Sequence, residues 1–206
     1  MTAAGPTVFV VDDDPSVRKS LTRLLAAAGY TVEAFASARE FLAREPHGGP
    51  CCLVLDVRMP GLSGIGLQET LAAGGRRMSI VFVTGHGDIS MSVRAMKRGA
   101  VDFLTKPFDA RDLLAAIERA MAKAVHELED EARATEVQTR VKMLTPREAE
   151  VFALVVTGML NKQIASALGI AEKTVKVHRA RVMEKMRAGS VAELVRLADR
   201  IGVIVP

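Results

Sequence analysis

Three runs of this chain are apolar at every position: Val8 to Val11, Leu53 to Leu55 and Ile80 to Val83. A strand with one wet face alternates apolar and polar side chains, whereas a strand covered on both faces does not. Runs this short, bounded by polar clusters, read as buried strands rather than helices. Thr31 to Phe35 and Val101 to Leu104 read as two further strands. Amphipathic helical patterns lie between them, at Ser16 to Ala28, Ala38 to Arg44, Ile65 to Ala73 and Ile89 to Arg98, with Gly29, Gly74 and Gly99 where helices should stop. Strands alternating with helices imply an α/β doubly wound five-stranded parallel sheet.

Such a sheet gathers the carboxyl ends of its strands along one edge, and sites form there. Here those ends carry Asp12-Asp13-Asp14, Asp56, Thr84 and Lys106. Converging carboxylates repel one another and need a cation, and hard oxygen donors select Mg²⁺. The expected ligands are Asp13, Asp56 and the Arg58 backbone carbonyl, with Asp12 acting through a bound water. Lys106 supplies a fixed positive charge that can offset charge developing on an incoming phosphoryl group. Asp56 is then the nucleophile, and the Thr84 hydroxyl can bond a phosphoryl oxygen. Arg58 and His86 are expected near the phosphoryl group, as tuning residues or as plain surface residues. Taken singly, each of these residues has a bland explanation as a cap, a turn residue or a solvated lysine. Asp14, before Pro15, reads as a helix N-cap.

From Phe108 to Leu144 the chain has neither Gly nor Pro. Leu114, Ile117, Met121, Ala124 and Leu128 recur at helical spacing, as a stripe packed on the sheet or as the seam of a helix pair. Beyond Leu128 the pattern fades into charged residues that suit a solvated connector. Thr145-Pro146-Arg147-Glu148 is a capping box. Helices are then expected near Asn161 to Ala167, Glu172 to Met186 and Val191 to Arg200, with turns at Gly158, Gly169 and Gly189. The segment from 161 to 186 has helix-turn-helix spacing.

Residues 145–206 hold ten basic against six acidic side chains, while 1–144 hold eighteen of each. The whole positive excess lies at the C-terminal end, which points to an anionic partner for that part alone. On the segment 172–186, Val175, His178, Val182 and Met186 form the expected buried stripe. Lys173, Lys176, Val177, Ala180 and Arg181 lie opposite. That face suits a DNA major groove, with Lys176 and Val177 nearest the bases and Thr174, Arg179 and Arg181 on phosphates. A solvated basic helix in an interaction domain is the plain alternative. His178 reads as a core or cap histidine rather than a ligand.

No apolar run approaches the roughly 18 to 20 residues that span a bilayer, and Met1 to Pro6 lacks the features of a signal peptide. The expectation is a soluble, cytoplasmic protein with no membrane partner. The only cysteines, Cys51 and Cys52, are adjacent and are expected to be reduced and half-buried.

Asp12-Asp13, the run Leu55 to Gly61, Thr84-Gly85 and Lys106-Pro107 resemble the signature of response-regulator receiver domains. Leu144 to Glu148, Asn161 to Ala165 and Lys173 to His178 resemble LuxR-type output domains. Together they resemble NarL/FixJ-like regulators, nearest the FixJ-like branch. The resemblance implies a receiver at 5–125 with the flavodoxin-like strand order 2-1-3-4-5, a helical linker at 126–142 and a small all-α four-helix helix-turn-helix domain at 143–206. It implies a sensor histidine kinase as phosphoryl donor, double-stranded promoter DNA as target and a homodimer on phosphorylation. It further implies that Thr84 moves toward the phosphoryl group while Phe103 turns inward, so that the face built from the fourth helix and fifth strand changes. Phe103 has no phenol hydroxyl, so packing alone must set its state. An aspartyl-phosphate phosphatase or phosphotransferase would carry a second Asp where this chain has Arg58, which disfavours turnover of an external substrate. A receiver serving only for dimerisation would not need the full acid set.

Overall fold

The computed structural model describes residues 5–76, 78–85 and 89–203. His86 lies outside the described residues. Elements run in the order β1 (Thr7–Val11), α1 (Pro15–Ala27), β2 (Thr31–Phe35), α2 (Ala38–Ala43), β3 (Cys51–Asp56), α3 (Gly64–Ala73), β4 (Ser79–Thr84), α4 (Ile89–Lys97), β5 (Asp102–Thr105) and α5 (Ala110–Lys142). Four more helices follow: α6 (Pro146–Val156), α7 (Asn161–Leu168), α8 (Glu172–Met186) and α9 (Val191–Arg200). The strands form one parallel sheet in the order β2-β1-β3-β4-β5.

The period-two alternation of strand side chains divides the inner strands between two cores. Phe9, Val11, Leu53, Leu55 and Phe82 point to one face, where Phe41 of α2, Leu67 and Leu71 of α3 and Ala95 of α4 cover them. Val8, Val10, Cys52, Val54, Val81 and Val83 point to the other, against Leu21 and Leu25 of α1 and Leu113, Ile117 and Met121 of α5. Helices on both faces explain the apolar runs at β1, β3 and β4. The cysteines are unbridged, Cys52 buried and Cys51 half-buried.

Local signals produced local structure. Asp14 caps α1, accepting from the Ser16 and Val17 amides with Pro15 in the first turn. Thr145 and Glu148 close the capping box of α6. Helices α3 and α8 end where the sequence pattern ends them, at Ala73 and Met186. Gly74 is the C-cap of α3, and the left-handed residue after it is Gly75 (φ 68°). After α8 it is Arg187 (φ 53°), two residues before Gly189.

The chain divides into two compact units, 1–128 and 129–206. Helix α5 is continuous across that boundary and contributes to each unit's core separately. In the first unit its buried face is Leu113, Ala116, Ile117, Ala120, Met121 and Ala124, while Leu128 is exposed. The stripe is therefore a sheet-packing face that ends before Leu128. In the second unit Val137 is buried, and Val141 and Leu144 pack with Phe152, Val175 and Leu194. The tail of the helix is thus core of the C-terminal unit rather than a purely solvated connector.

Candidate functional site

Strand register brings the N-terminal acids together. Val11 pairs with Leu55, Asp56 with Val83 and Thr84 with Thr105. Asp12, Asp56, Thr84 and Lys106 therefore stand within one residue of a common line at the carboxyl edge. The Lys106 Nζ lies 2.6 Å from Asp12 Oδ2 and 3.1 Å from Asp56 Oδ1. The second oxygen of Asp56 accepts from the Arg58 amide at 2.8 Å, and Asp12 Oδ1 accepts from the Asp14 amide at 2.9 Å. Asp12, Asp56 and Thr84 are all buried, Asp13 and Arg58 are exposed. The Thr84 carbonyl accepts from the Lys106 amide at 2.7 Å, joining the ends of β4 and β5. Phe103 is half-buried against Phe82, with ring centroids 6.2 Å apart.

Burial pushes the Asp56 carboxyl above the ordinary aspartate value, and Asp12 adds to this. The hydrogen bonds and charge from Lys106 and the Arg58 amide oppose it only in part. Burial pulls the Lys106 ammonium down, but the bonds and charges of Asp12 and Asp56 outweigh it, and Lys106 stands above its usual value. The centre is thus a cation shared by two buried carboxylates.

The donor chemistry suits a hard divalent cation, since two buried carboxylates already converge on one positive charge. Among the described residues, however, no three acidic, histidine or cysteine side chains lie close enough to hold a metal unaided. A third ligand has to be a backbone carbonyl, a water or a shifted Asp13.

Two supports were not apparent from sequence. Arg18 Nη1 donates to the Asp12 and Asp13 carbonyls at 2.7 and 3.0 Å, fixing the acidic turn. Helical side chains lean toward the N-terminus of their helix, so a basic residue one turn into α1 is the signal for it. Gly64 opens α3 against the acceptor strand: a Cβ there would lie 2.2 Å from the Asp56 carbonyl oxygen. The Gly64 amide donates to the Val57 carbonyl at 3.0 Å.

In the C-terminal unit α7 and α8 form the helix-turn-helix, with Gly169 left-handed (φ 65°) in the turn. Val175, Val182 and Met186 of α8 are fully buried, whereas His178 is only half-buried and its covered Nδ1 makes no hydrogen bond. Lys173, Thr174, Lys176, Val177, Ala180 and Arg181 are exposed. Lys176 also lies 3.4 Å from Glu172 on the same helix. Arg179 is half-buried, and its Nη1 donates to Asn161 Oδ1 at 2.9 Å, so it joins α8 to the start of α7. The buried Glu148 accepts from Lys185 at 2.6 Å and from the Thr145 amide at 2.9 Å, and these bonds hold its carboxyl down at about 2.

Family models match both units: the response regulator receiver domain over residues 8–118, and the bacterial regulatory proteins of the luxR family over 142–198. Transcriptional regulatory protein FixJ of Bradyrhizobium diazoefficiens is 45% identical over 204 residues, covering 99% of both chains. The chain belongs to the NarL/FixJ-type response regulators. Nodulation protein W of the same organism is 49% identical over 196 residues, 95% of this chain and 86% of that one. Among solved structures, the response regulator StyR matches with a TM-score of 0.80 at 49% identity, covering 96% of this chain and 100% of that one. Full-length FixJ from B. japonicum matches at 44% identity and a TM-score of 0.56, over 96% and 98%. The regulator is therefore phosphorylation-dependent and controls transcription through a receiver and a helix-turn-helix domain. Its own chemistry is the gain and loss of a phosphoryl group, not turnover of an external substrate. No helix among its described residues is long and apolar enough to cross a membrane.

Proposed function

We propose that Asp56 is the phosphoryl acceptor, supplied by a sensor histidine kinase, and that its phosphorylation drives dimerisation through the receiver and binding of promoter DNA by α8. The observation that carries this reading is the Lys106 ammonium bridging the buried carboxylates of Asp12 and Asp56. An Asp56 oxygen attacks phosphorus, the bond to the donor's nitrogen or oxygen breaks, and the leaving group takes its electron pair with it. Lys106 holds positive charge beside the equatorial oxygens, and the Arg58 amide orients the carboxylate. Asp12, Asp13, Asp56 and the Arg58 carbonyl would hold Mg²⁺, which when bound neutralises phosphoryl charge. Thr84, buried at the end of β4, is placed to sense the modified neighbour, and Phe103 on β5 follows by repacking against Phe82.

On the DNA side, Lys176 and Val177 face the bases, with Lys173, Thr174 and Arg181 toward phosphates. Arg179 is better understood as holding α7 and α8 together through Asn161 while sharing phosphate contact at most at its free edge. The test is labelling with acetyl phosphate and Mg²⁺ followed by peptide mapping. Label is expected on Asp56 and absent from Asp56→Asn; label retained on another residue of that variant overturns the assignment. Lys176→Ala should weaken duplex binding by about 1 to 3 kcal/mol if it reads a base, and an unchanged affinity at matched salt would show that another face of α8 is used.

A further inference from the structure

Helix α4 is anchored to α3 at its last turn, while a cavity lies beside its first half. Of its residues from Met91 to Lys97, only Ala95 is fully buried, and Val93 and Met96 are each 44% exposed. A cavity of about 670 Å³ lies beside its first half, lined by Met59, Ile65, Met91 and Arg94 among others. Its last turn is secured differently. Gln68 of α3 is only 5% exposed, and its Nε2 donates to the carbonyls of Ala95 and Arg98 at 3.4 and 3.3 Å. Arg98 also pairs with Glu69, the residue next to Gln68. Ala95 and Ala100 sit in the same core as Leu67 and Leu71.

Stability alone does not account for a glutamine here. Two carbonyls face the amide, so the nitrogen must point to them, and the Oε1 is left covered without a partner. A buried acceptor without a partner is destabilising, and an apolar side chain of similar length would fill the space without it. The two bonds that it makes reach the carbonyls at the end of α4 from α3. Gln68 stands one helical turn after Gly64, on the same face of α3. Gly64 is the residue pressed against the Asp56 carbonyl. One turn of α3 thus connects the acceptor's backbone to the end of α4.

We propose that Gln68 is a positioning residue for the switch: it pins the last turn of α4 to α3, so that phosphorylation turns α4 about that end while its first half moves over the cavity. The proposal rests on the reading of Asp56 as acceptor. Hydrogen exchange of the full chain, with and without acetyl phosphate and Mg²⁺, tests it directly. The donor should change exchange in residues 89–94 and leave 95–100 as they were. An equal change in both segments overturns the pinned end. In Gln68→Met, residues 95–100 should exchange faster before any donor is added, with Asp56 labelled to the wild-type extent. Its ratio of DNA binding with donor to binding without donor, on a duplex pool selected by the phosphorylated protein, should fall at least about fivefold, the lower end of coupling between two sites. A wild-type ratio overturns the proposal, even if the melting temperature falls, because a merely structural role would lower stability without touching the ratio. Should Gln68→Met fail to fold, the wild-type exchange pattern decides alone. Absence of label from Asp56 in the wild type would instead refute the acceptor reading, which keeps the two failures apart.

Discussion

Replacing Lys106 with methionine keeps the length of the side chain and removes the charge between Asp12 and Asp56. Both carboxylates are buried, at 1% and 7% side-chain exposure, so neither can recover its lost partner from bulk water. Breaking a buried ion pair by removing one member costs about 3 to 5 kcal/mol. The lysine side chain keeps 23% of its surface exposed, which lowers the expectation to about 2 to 3 kcal/mol for the N-terminal unit at pH 7. The pH dependence has a definite sign. The Asp56 carboxyl already stands above its ordinary value in the fold, so its protonated form favours folding at low pH and its ionisation opposes folding as pH rises through the folded value. Without Lys106 that value moves further up, so the deficit should shrink on acidification. Urea unfolding followed by Tyr30 fluorescence reads this unit alone, because the chain has no tryptophan and its single tyrosine lies in residues 1–128. The midpoint should drop by roughly 1 to 2 M at pH 7, and Asp56→Asn added to Lys106→Met should recover part of the loss, since Asp12 stays buried without its partner. A Lys106→Met protein as stable as wild type at pH 7, or equally destabilised at every pH, would refute the reasoning.

Gly64→Ala should destabilise the receiver by about 1 to 3 kcal/mol and slow acetyl-phosphate labelling, because the new methyl meets the Asp56 carbonyl and the backbone must move; normal labelling kinetics would contradict this. Arg187→Gly should stabilise the C-terminal unit by about 0.5 to 1 kcal/mol, the left-handed penalty of a Cβ less the extra freedom of glycine when unfolded, measurable by thermal unfolding monitored by circular dichroism. The carboxyl of Glu148 lies far below its ordinary value, so its contribution is present above about pH 4.5 and lost as pH falls toward about 2. The stability difference between wild type and Glu148→Gln should therefore narrow across that window.

The elements legible in sequence were those whose cause is local. Asp14 with Pro15 and Thr145 with Glu148 announce helix starts because caps are satisfied within four residues. The inner strands were legible because burial on both faces leaves no polar alternation. The acid site was legible because topology, not chain proximity, gathers strand ends. What escaped depends on residues far along the chain. Val137 and Val141 look like two stray apolar residues in a charged helix, and only α6, α8 and α9 reveal them as core. Arg179 has the charge and spacing of a phosphate contact, but Asn161, eighteen residues earlier, claims its guanidinium. Helices α3 and α8 stop at Ala73 and Met186, as their patterns indicate, but which residue turns left-handed after each, Gly75 and Arg187, was not legible from glycine positions alone. Gln68 offered no signal at all, since its acceptors belong to the end of another helix.

The central claim is that a phosphoryl group on Asp56 governs DNA binding by the other unit. The most direct measurement is the affinity of the full chain for a selected promoter duplex at fixed salt, with and without acetyl phosphate and Mg²⁺, for wild type and Asp56→Asn side by side. The donor is expected to tighten wild-type binding and to leave Asp56→Asn unchanged at its donor-free value. A wild-type affinity indifferent to the donor despite labelled Asp56, or a donor response that survives in Asp56→Asn, would contradict it.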